Sequence, residues 1–126
     1  MFENVKELMA AAEAGNDAAQ LELADRCYYG EEVEFDVEKA CEWYEKAAEN
    51  GNAQAMCLLG YCYREGVGVQ QDHAKAFDLT KEAAEAGNAM AQFNLGLCYE
   101  KGLGVDADSE QSALWYEKAK ANGYTE

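Results

Sequence analysis

Few residue types in this chain could perform chemistry, and their spacing argues against most of it. The one histidine, His73, follows Asp72. An imidazole beside a carboxylate is half of a general-base arrangement, but a nucleophile must lie within hydrogen-bond reach, and no Ser or Cys stands near it in sequence. The five cysteines, Cys27, Cys41, Cys57, Cys62 and Cys98, form no C-x-x-C pair and adjoin no histidine cluster, so neither a zinc site nor a complete disulfide framework is indicated. They read as small buried hydrophobes kept as free thiols in a reducing compartment, which places the protein in the cytoplasm. Glu31, Glu32, Glu34 and Asp36 offer oxygens for Ca²⁺ but lack the alternating spacing, turn glycine and terminal Glu of such a loop. A solvated or partner-facing acidic loop is the expectation. Gly66-Val67-Gly68-Val69 and Gly102-Leu103-Gly104-Val105 imitate phosphate loops, yet they follow a helix instead of opening one. No catalytic residue, metal or cofactor is expected. A hydrolytic enzyme stays only as a remote alternative, because no nucleophile, base and orienting group can be assembled.

What must position these residues is one domain of 126 residues, 49% of them hydrophobic, enough for a continuous core. No apolar run reaches the roughly 18 residues that span a bilayer, and Met1 to Ala14 is acidic and amphipathic, unlike a secretion signal. Membrane insertion is not expected. The net charge of −15 argues against nucleic acid, since phosphate binding draws on clustered Lys and Arg. A basic or amphipathic protein or peptide fits better. Ten acids against Lys6 and Arg26 in residues 1 to 36 leave a balance of −8 there, so the field is strongest at the N-terminal end.

Internal periodicity decides the architecture. Gly15, Gly51, Gly87 and Gly123 recur every 36 residues, and the first three are each followed by Asn. On that register Ala19, Ala55 and Ala91 share a column, as do Leu23, Leu59 and Leu95; Ala24, Gly60 and Gly96; Asp36, Asp72 and Asp108; and Ala47, Ala83 and Ala119. The chain divides into a leading half-unit, 1–14, and three units, 15–50, 51–86 and 87–122. Each unit reads as two helices, about 17–29 and 36–50 in the first. One begins at an Asn cap and ends at a Gly, the other begins at an Asp cap and ends at the next Gly-Asn. Apolar residues at i, i+4 and i+8, such as Ala40, Tyr44 and Ala48, have helical spacing. Seven helices and no strand are predicted. Ala and Gly columns mark close helix approaches, and Tyr and Trp columns fill wider gaps. A unit alone cannot bury both faces, so the units must stack into a solenoid.

The string Leu59-Gly60-x-x-Tyr63-x-x-Gly66-x-Gly68-Val69-x-x-Asp72-x-x-Lys75-Ala76, preceded by Trp43-Tyr44-Glu45-Lys46-Ala47-Ala48-Glu49-x-Gly51, resembles the Sel1-like repeat, a relative of the tetratricopeptide repeat. The resemblance implies an all-α, α/α superhelical solenoid acting as a protein-interaction scaffold or adaptor. Unit one departs from the pattern, with Cys27 in a Tyr column and Glu32 where Gly68 and Gly104 stand, so its loop Glu31 to Phe35 is expected to take another shape. Unit two has Leu79-Thr80 in place of Trp-Tyr. The cysteine-rich branch of the family bridges one Cys on each helix of a unit; those columns here hold Ala48 with Met56 and Ala84 with Gln92, so its disulfides are not carried over and all five cysteines are expected reduced.

By resemblance to the tetratricopeptide groove, the inward columns are Asp25 and Tyr28 in unit one, Gln54, Tyr61 and Arg64 in unit two, and Met90, Leu97 and Glu100 in unit three, with Leu21, Cys57 and Phe93 at the edge. Aromatic and Met side chains beside a few charges suit the burial of a helix or extended peptide. Packing between units competes as an explanation, for Phe93 and Leu97 especially. A self-assembling module, or a piece of a longer solenoid, is the alternative to a scaffold, because the chain starts half-way through a unit. Lys120, where Ala48 and Ala84 stand earlier, marks a polar last helix and favours a monomer, though the oligomeric state stays open.

Overall fold

A computed structural model describes residues 4–124. Met1 to Glu3, and with them one of the counted acids and the start of the leading half-unit, lie outside the described residues, as do Thr125 and Glu126. Seven helices follow one another: α1 (Val5–Glu13), α2 (Asp17–Tyr29), α3 (Val37–Glu49), α4 (Ala53–Glu65), α5 (His73–Glu85), α6 (Ala89–Lys101) and α7 (Ser109–Ala121), with no strand among the described residues. Each helix packs on the next in the chain, and α4 also touches α6. The even-numbered helices thus form an inner layer and the odd-numbered ones an outer layer of a solenoid.

The caps explain why the helices start where they do. Asn4, Asn16, Asn52 and Asn88 open α1, α2, α4 and α6, and Asp36, Asp72 and Asp108 open α3, α5 and α7. In each case the side-chain oxygen accepts from a free backbone N–H of the first turn, which a short side chain in extended conformation can reach. Between α2, α4 and α6 the caps do a second task. Asn52 Nδ2 donates to Asp17 Oδ2 at 3.0 Å, and Asn88 Nδ2 donates to Gln54 Oε1 at 2.8 Å, so each cap also ties its helix to the inner helix before it.

The core is a stack of small columns. Ala19, Ala55, Ala91, Ala47 and Ala83 are wholly buried, with Leu8, Leu23, Leu59 and Leu95 filling the space between layers. A Cβ on Gly60 would lie 2.8 Å from Thr80 Oγ1, and one on Gly96 would lie 2.7 Å from the Tyr116 ring. At Gly60 and Gly96 the inner helix must therefore be bare for the outer helix's side chain to cross it, whereas unit one accommodates the methyl group of Ala24 in this column.

A polar tie runs along one edge of the stack. Gln20 Nε2 donates to Ala12 O at 3.0 Å while its Oε1 accepts from Asn50 Nδ2 at 3.1 Å. Gln92 repeats both bonds with Ala84 O and Asn122 Nδ2. In unit two the columns hold Met56 and Ala86, so donor and acceptor are replaced together and no buried amide is stranded. The Gln92 bond to Ala84 joins the two columns that a cystine would occupy in the family's cysteine-rich branch. A hydrogen bond spans that gap here.

The loop of unit one corrects an expectation. Glu31 to Phe35 keeps the path of the other two loops: Glu31 N donates to Arg26 O as Val67 N does to Cys62 O, and Asp36 N donates to Cys27 O as Asp72 N does to Tyr63 O. Glu32 has φ +60°, beside +74° at Gly68 and +75° at Gly104. The path is set by backbone hydrogen bonds at both ends, which do not depend on the residue in the middle. The left-handed Glu32 is held by Arg26, which pairs with both Glu22 and Glu32.

At Gly68 and Gly104 a second reason for glycine appears. A Cβ on Gly68 would lie 2.4 Å from Val37 O and 2.8 Å from Cys41 Sγ, and one on Gly104 would lie 2.1 Å from His73 O. These loops press against the start of the preceding outer helix and form the seam between units. Gly68→Ala is expected to lose more than about 2 kcal/mol, strain and overlap together. Gly51→Ala, with positive φ but nothing within 4 Å of the added carbon, should lose about 1 kcal/mol. Urea unfolding of both variants checks the contrast; equal losses would show that the seam is not tight.

Candidate partner-binding groove

The last turns of α2 and α4 and the first turns of α6 face a common depression. A cavity of about 340 Å³ is lined by Asp25, Tyr28 and Tyr29 from α2, Tyr44 from α3, Leu58, Tyr61, Cys62 and Arg64 from α4, and Met90 and Asn94 from α6, with Tyr124 beyond α7. A second, of about 730 Å³, is lined by Phe93, Leu97, Glu100 and Lys101 from α6, Tyr116, Ala119 and Lys120 from α7, and again Tyr124. Tyr124 stands between the two, stacked on Phe93 at 4.8 Å. Of the eight residues expected to face inward, Asp25, Tyr28, Tyr61, Arg64 and Met90 meet in the first cavity and Leu97 and Glu100 in the second, which the edge residue Phe93 also lines. Gln54 lines neither. Its carboxamide accepts from Asn88 at the seam between α4 and α6.

The groove's polar groups have distinct environments. Tyr44 is 2% exposed, and its hydroxyl donates to Asp25 Oδ1 at 2.6 Å. Burial pushes the Asp25 carboxyl above its ordinary value; the Tyr44 hydrogen bond pulls the other way, and the neighbouring charges of Glu22 and Glu31 push it further up. Burial, then the contact with Asp25, holds the Tyr44 phenol well above its usual range. Burial also raises Tyr28. In unit three, Tyr116 donates to Glu100 instead. In unit two the short Thr80 reaches no groove residue, and Arg64 stacks over the Tyr61 ring at 5.3 Å while its Nε donates to Glu65 at 3.1 Å.

Sequence reasoning missed Tyr29, Tyr44, Asn94, Tyr116 and Tyr124. Tyr44 and Tyr116 belong to outer-helix columns assigned to packing, and they enter the groove only because Ala24 and Gly96 let their side chains cross. The signal was present in the pairing of a small inner column with a Tyr outer column. Tyr124 falls where earlier units carry an Asn cap, so its column predicted a different task.

Apart from the neighbouring thiols of Cys41 and Cys62, the remaining candidates for chemistry form no cluster among the described residues. His73 is exposed on the first turn of α5. Asp36 caps α3 and Glu32 pairs with Arg26, so two of the four loop acids are already engaged. All five cysteines are buried free thiols. Burial raises Cys57 to about 11, and the hydrogen bond that Cys62 donates to Cys41, together with burial, raises Cys62. Among the described residues no three His, Cys, Asp or Glu side chains converge as a metal site would, and no helix is long and apolar enough to cross a membrane.

Comparison with known proteins follows the same register. The model of the Sel1 repeat matches residues 17–52, 53–88 and 89–124. The crystal structure of c5321, a protective antigen of uropathogenic Escherichia coli strains displaying an SLR fold, superposes with a TM-score of 0.92 at 38% identity over 94% of this chain and 26% of that one. A Sel1 repeat protein from Oxalobacter formigenes gives 0.88 at 32% identity, over 94% of this chain and 49% of that one. Cysteine rich protein B of Helicobacter pylori shares the fold at a TM-score of 0.73 and 24% identity, over 97% of this chain and 93% of that one. This chain thus spans about a quarter and about half the length of the first two structures. No curated protein matches it. With three consecutive copies of the repeat matched from residue 17 to residue 124, the chain belongs to the Sel1 repeat family.

Proposed function

We propose that the protein is a non-catalytic scaffold that seats a segment of a protein partner in the groove of its inner helices. The observation that carries this reading is the first cavity, where Tyr28, Tyr61 and Met90 supply apolar area beside Asp25 and Arg64. Rigid aromatic rings give large contact area for little lost side-chain freedom, and a few fixed charges set direction and register. Sel1 repeats commonly serve protein interaction, which agrees with it. The net charge of −15 favours a basic or amphipathic segment without nucleic acid. Five buried thiols suit a reducing compartment, and we place the protein in the cytoplasm on that basis.

A functional groove is also consistent with a group that folding disfavours. The raised pKa of Asp25 means that its contribution to stability is fully present below the unfolded-state value and lost as pH rises through the folded one. Near neutrality the charged carboxylate therefore weakens the fold. Asp25→Asn keeps an oxygen for the Tyr44 hydroxyl and removes the charge. Its urea midpoint at pH 7 should exceed that of the parent, and the difference should vanish below pH 3.8, the ordinary value of this carboxyl. A variant less stable than the parent at pH 7 would show that the charge is compensated.

The groove itself is tested with a photo-crosslinking residue placed at Tyr61 or, on the outer layer, at Glu82. A partner should be captured from Tyr61 and not from Glu82. Its affinity should fall by about 2 kcal/mol or more for Tyr61→Ala at any ionic strength. Reversing Glu31 and Glu34, which unlike Glu32 enter no ion pair among the described residues, should slow association chiefly at low salt. Capture from Glu82 with full affinity after replacement of Tyr28, Tyr61 and Leu97 by Ala would move the site out of the groove.

A further inference from the structure

The first cavity has a more particular chemistry than an apolar groove requires. The one carboxylate among its lining residues is Asp25, whose Oδ1 already accepts from the buried Tyr44 hydroxyl at 2.6 Å. Among the described residues Asp25 enters no ion pair. The cation next to it in sequence, Arg26, is committed to Glu22 and Glu32. Arg64, on the same cavity, is committed to Glu65 and to the face of Tyr61. Tyrosines line the same cavity: Tyr28 and Tyr29, edge to face at 5.0 Å, and Tyr61. Tyr29 is 68% exposed, a large aromatic surface left at the rim.

An unpaired carboxylate with aromatic walls fits one kind of occupant. The negative faces of the rings and the carboxylate both attract a cation, and the rings cover the methylene stem that carries it. A neutral apolar side chain would bury the Asp25 charge with no partner, which is unfavourable. An acidic one would meet Glu22 and Glu31 as well. Resting on the groove reading above, we propose that this cavity takes a lysine or arginine side chain of the partner segment, held by Asp25 and enclosed by Tyr28, Tyr29 and Tyr61. The residues of the Asp25 column in the other units, Tyr61 and Leu97, carry no charge, and the carboxylate of the second cavity, Glu100, is exposed and shares its cavity with Lys101 and Lys120. The cation is therefore read at one end of the groove, and this fixes the direction in which a segment lies.

The test uses three small probes, the N-acetyl N-methylamides of arginine, lysine and norleucine, titrated to about 50 mM, the range in which a single side chain binds. Binding is followed by NMR of the Asp25 carboxyl carbon and of the Tyr28 and Tyr61 rings. The two cationic probes should shift all three resonances saturably, norleucine should bind at least about tenfold more weakly, and Asp25→Asn should abolish that preference. Tyr44→Phe, which leaves the carboxylate in place, should retain it. If norleucine binds in the cavity as well as the cations do, or Asp25→Asn leaves the preference intact, the cation assignment is wrong while the groove stands. If the cationic probes shift only Glu22 and Glu31, attraction is a surface effect and the assignment is again wrong. No shift in the cavity with any probe overturns both readings.

Discussion

Inner and outer helices in this solenoid lie so close that only a methyl group or a hydrogen fits at their crossing, and the groove depends on that separation. At the column of Ala24, Gly60 and Gly96 the inner helix offers almost no side chain, so the residue opposite runs across it instead of stopping against it. Tyr44 and Tyr116 use this passage to deliver a hydroxyl from the outer layer to Asp25 and Glu100 on the inner surface. Packing and the chemistry of the inner surface are thus one device: the small residue that allows tight stacking also determines which carboxylates in the groove are oriented. Where the crossing residue is Thr80, the passage is too short to reach, and unit two organises its inner face differently, with Arg64 laid on Tyr61.

Unit two differs in other coupled ways. Gln20 with Asn50 and Gln92 with Asn122 become Met56 with Ala86, and Trp43 with Lys46 and Trp115 with Lys118 become Leu79 with Glu82. In units one and three the lysine lies over the indole at 4.6 and 4.3 Å. A donor disappears with its acceptor, as a satisfied interior requires, and at the surface a cation disappears with its ring. Units one and three therefore resemble each other more than either resembles the middle, and the groove they flank is asymmetric: a carboxylate among tyrosines at one end, a guanidinium on an aromatic ring in the centre, and towards the other end rings beside an exposed carboxylate and two lysines.

Most of the fold was legible because it is written locally. Asn and Asp caps, closing glycines and the 36-residue register each depend on residues within one or two turns, so periodicity alone recovers them. The loop at Glu32 was misread for the opposite reason. Glycine in two of three copies suggested that the path needs glycine, whereas it needs only the backbone bonds at either end, and the glycines of units two and three answer to the contact with Val37 and His73. The groove was legible in its inner-helix columns and illegible in what crosses from elsewhere. No column shows that Tyr44 reaches Asp25, nineteen residues away, or that Gln54 turns towards Asn88. These are properties of two helices together.

The seams have a further consequence, for kinetics. Each of them joins segments that are neighbours along the chain, so the search that forms any one contact closes a loop of only a few dozen residues, and the entropy of closure is small. A chain wired this way assembles by extension from whichever pair of helices forms first, each docked helix providing the template for the next. The loop glycines at Gly68 and Gly104 then act as latches in that sequence, because the preceding outer helix must be in place before either loop has a surface to close on. Their contribution belongs to the propagation of structure rather than to its initiation, so it slows unfolding more than it speeds folding.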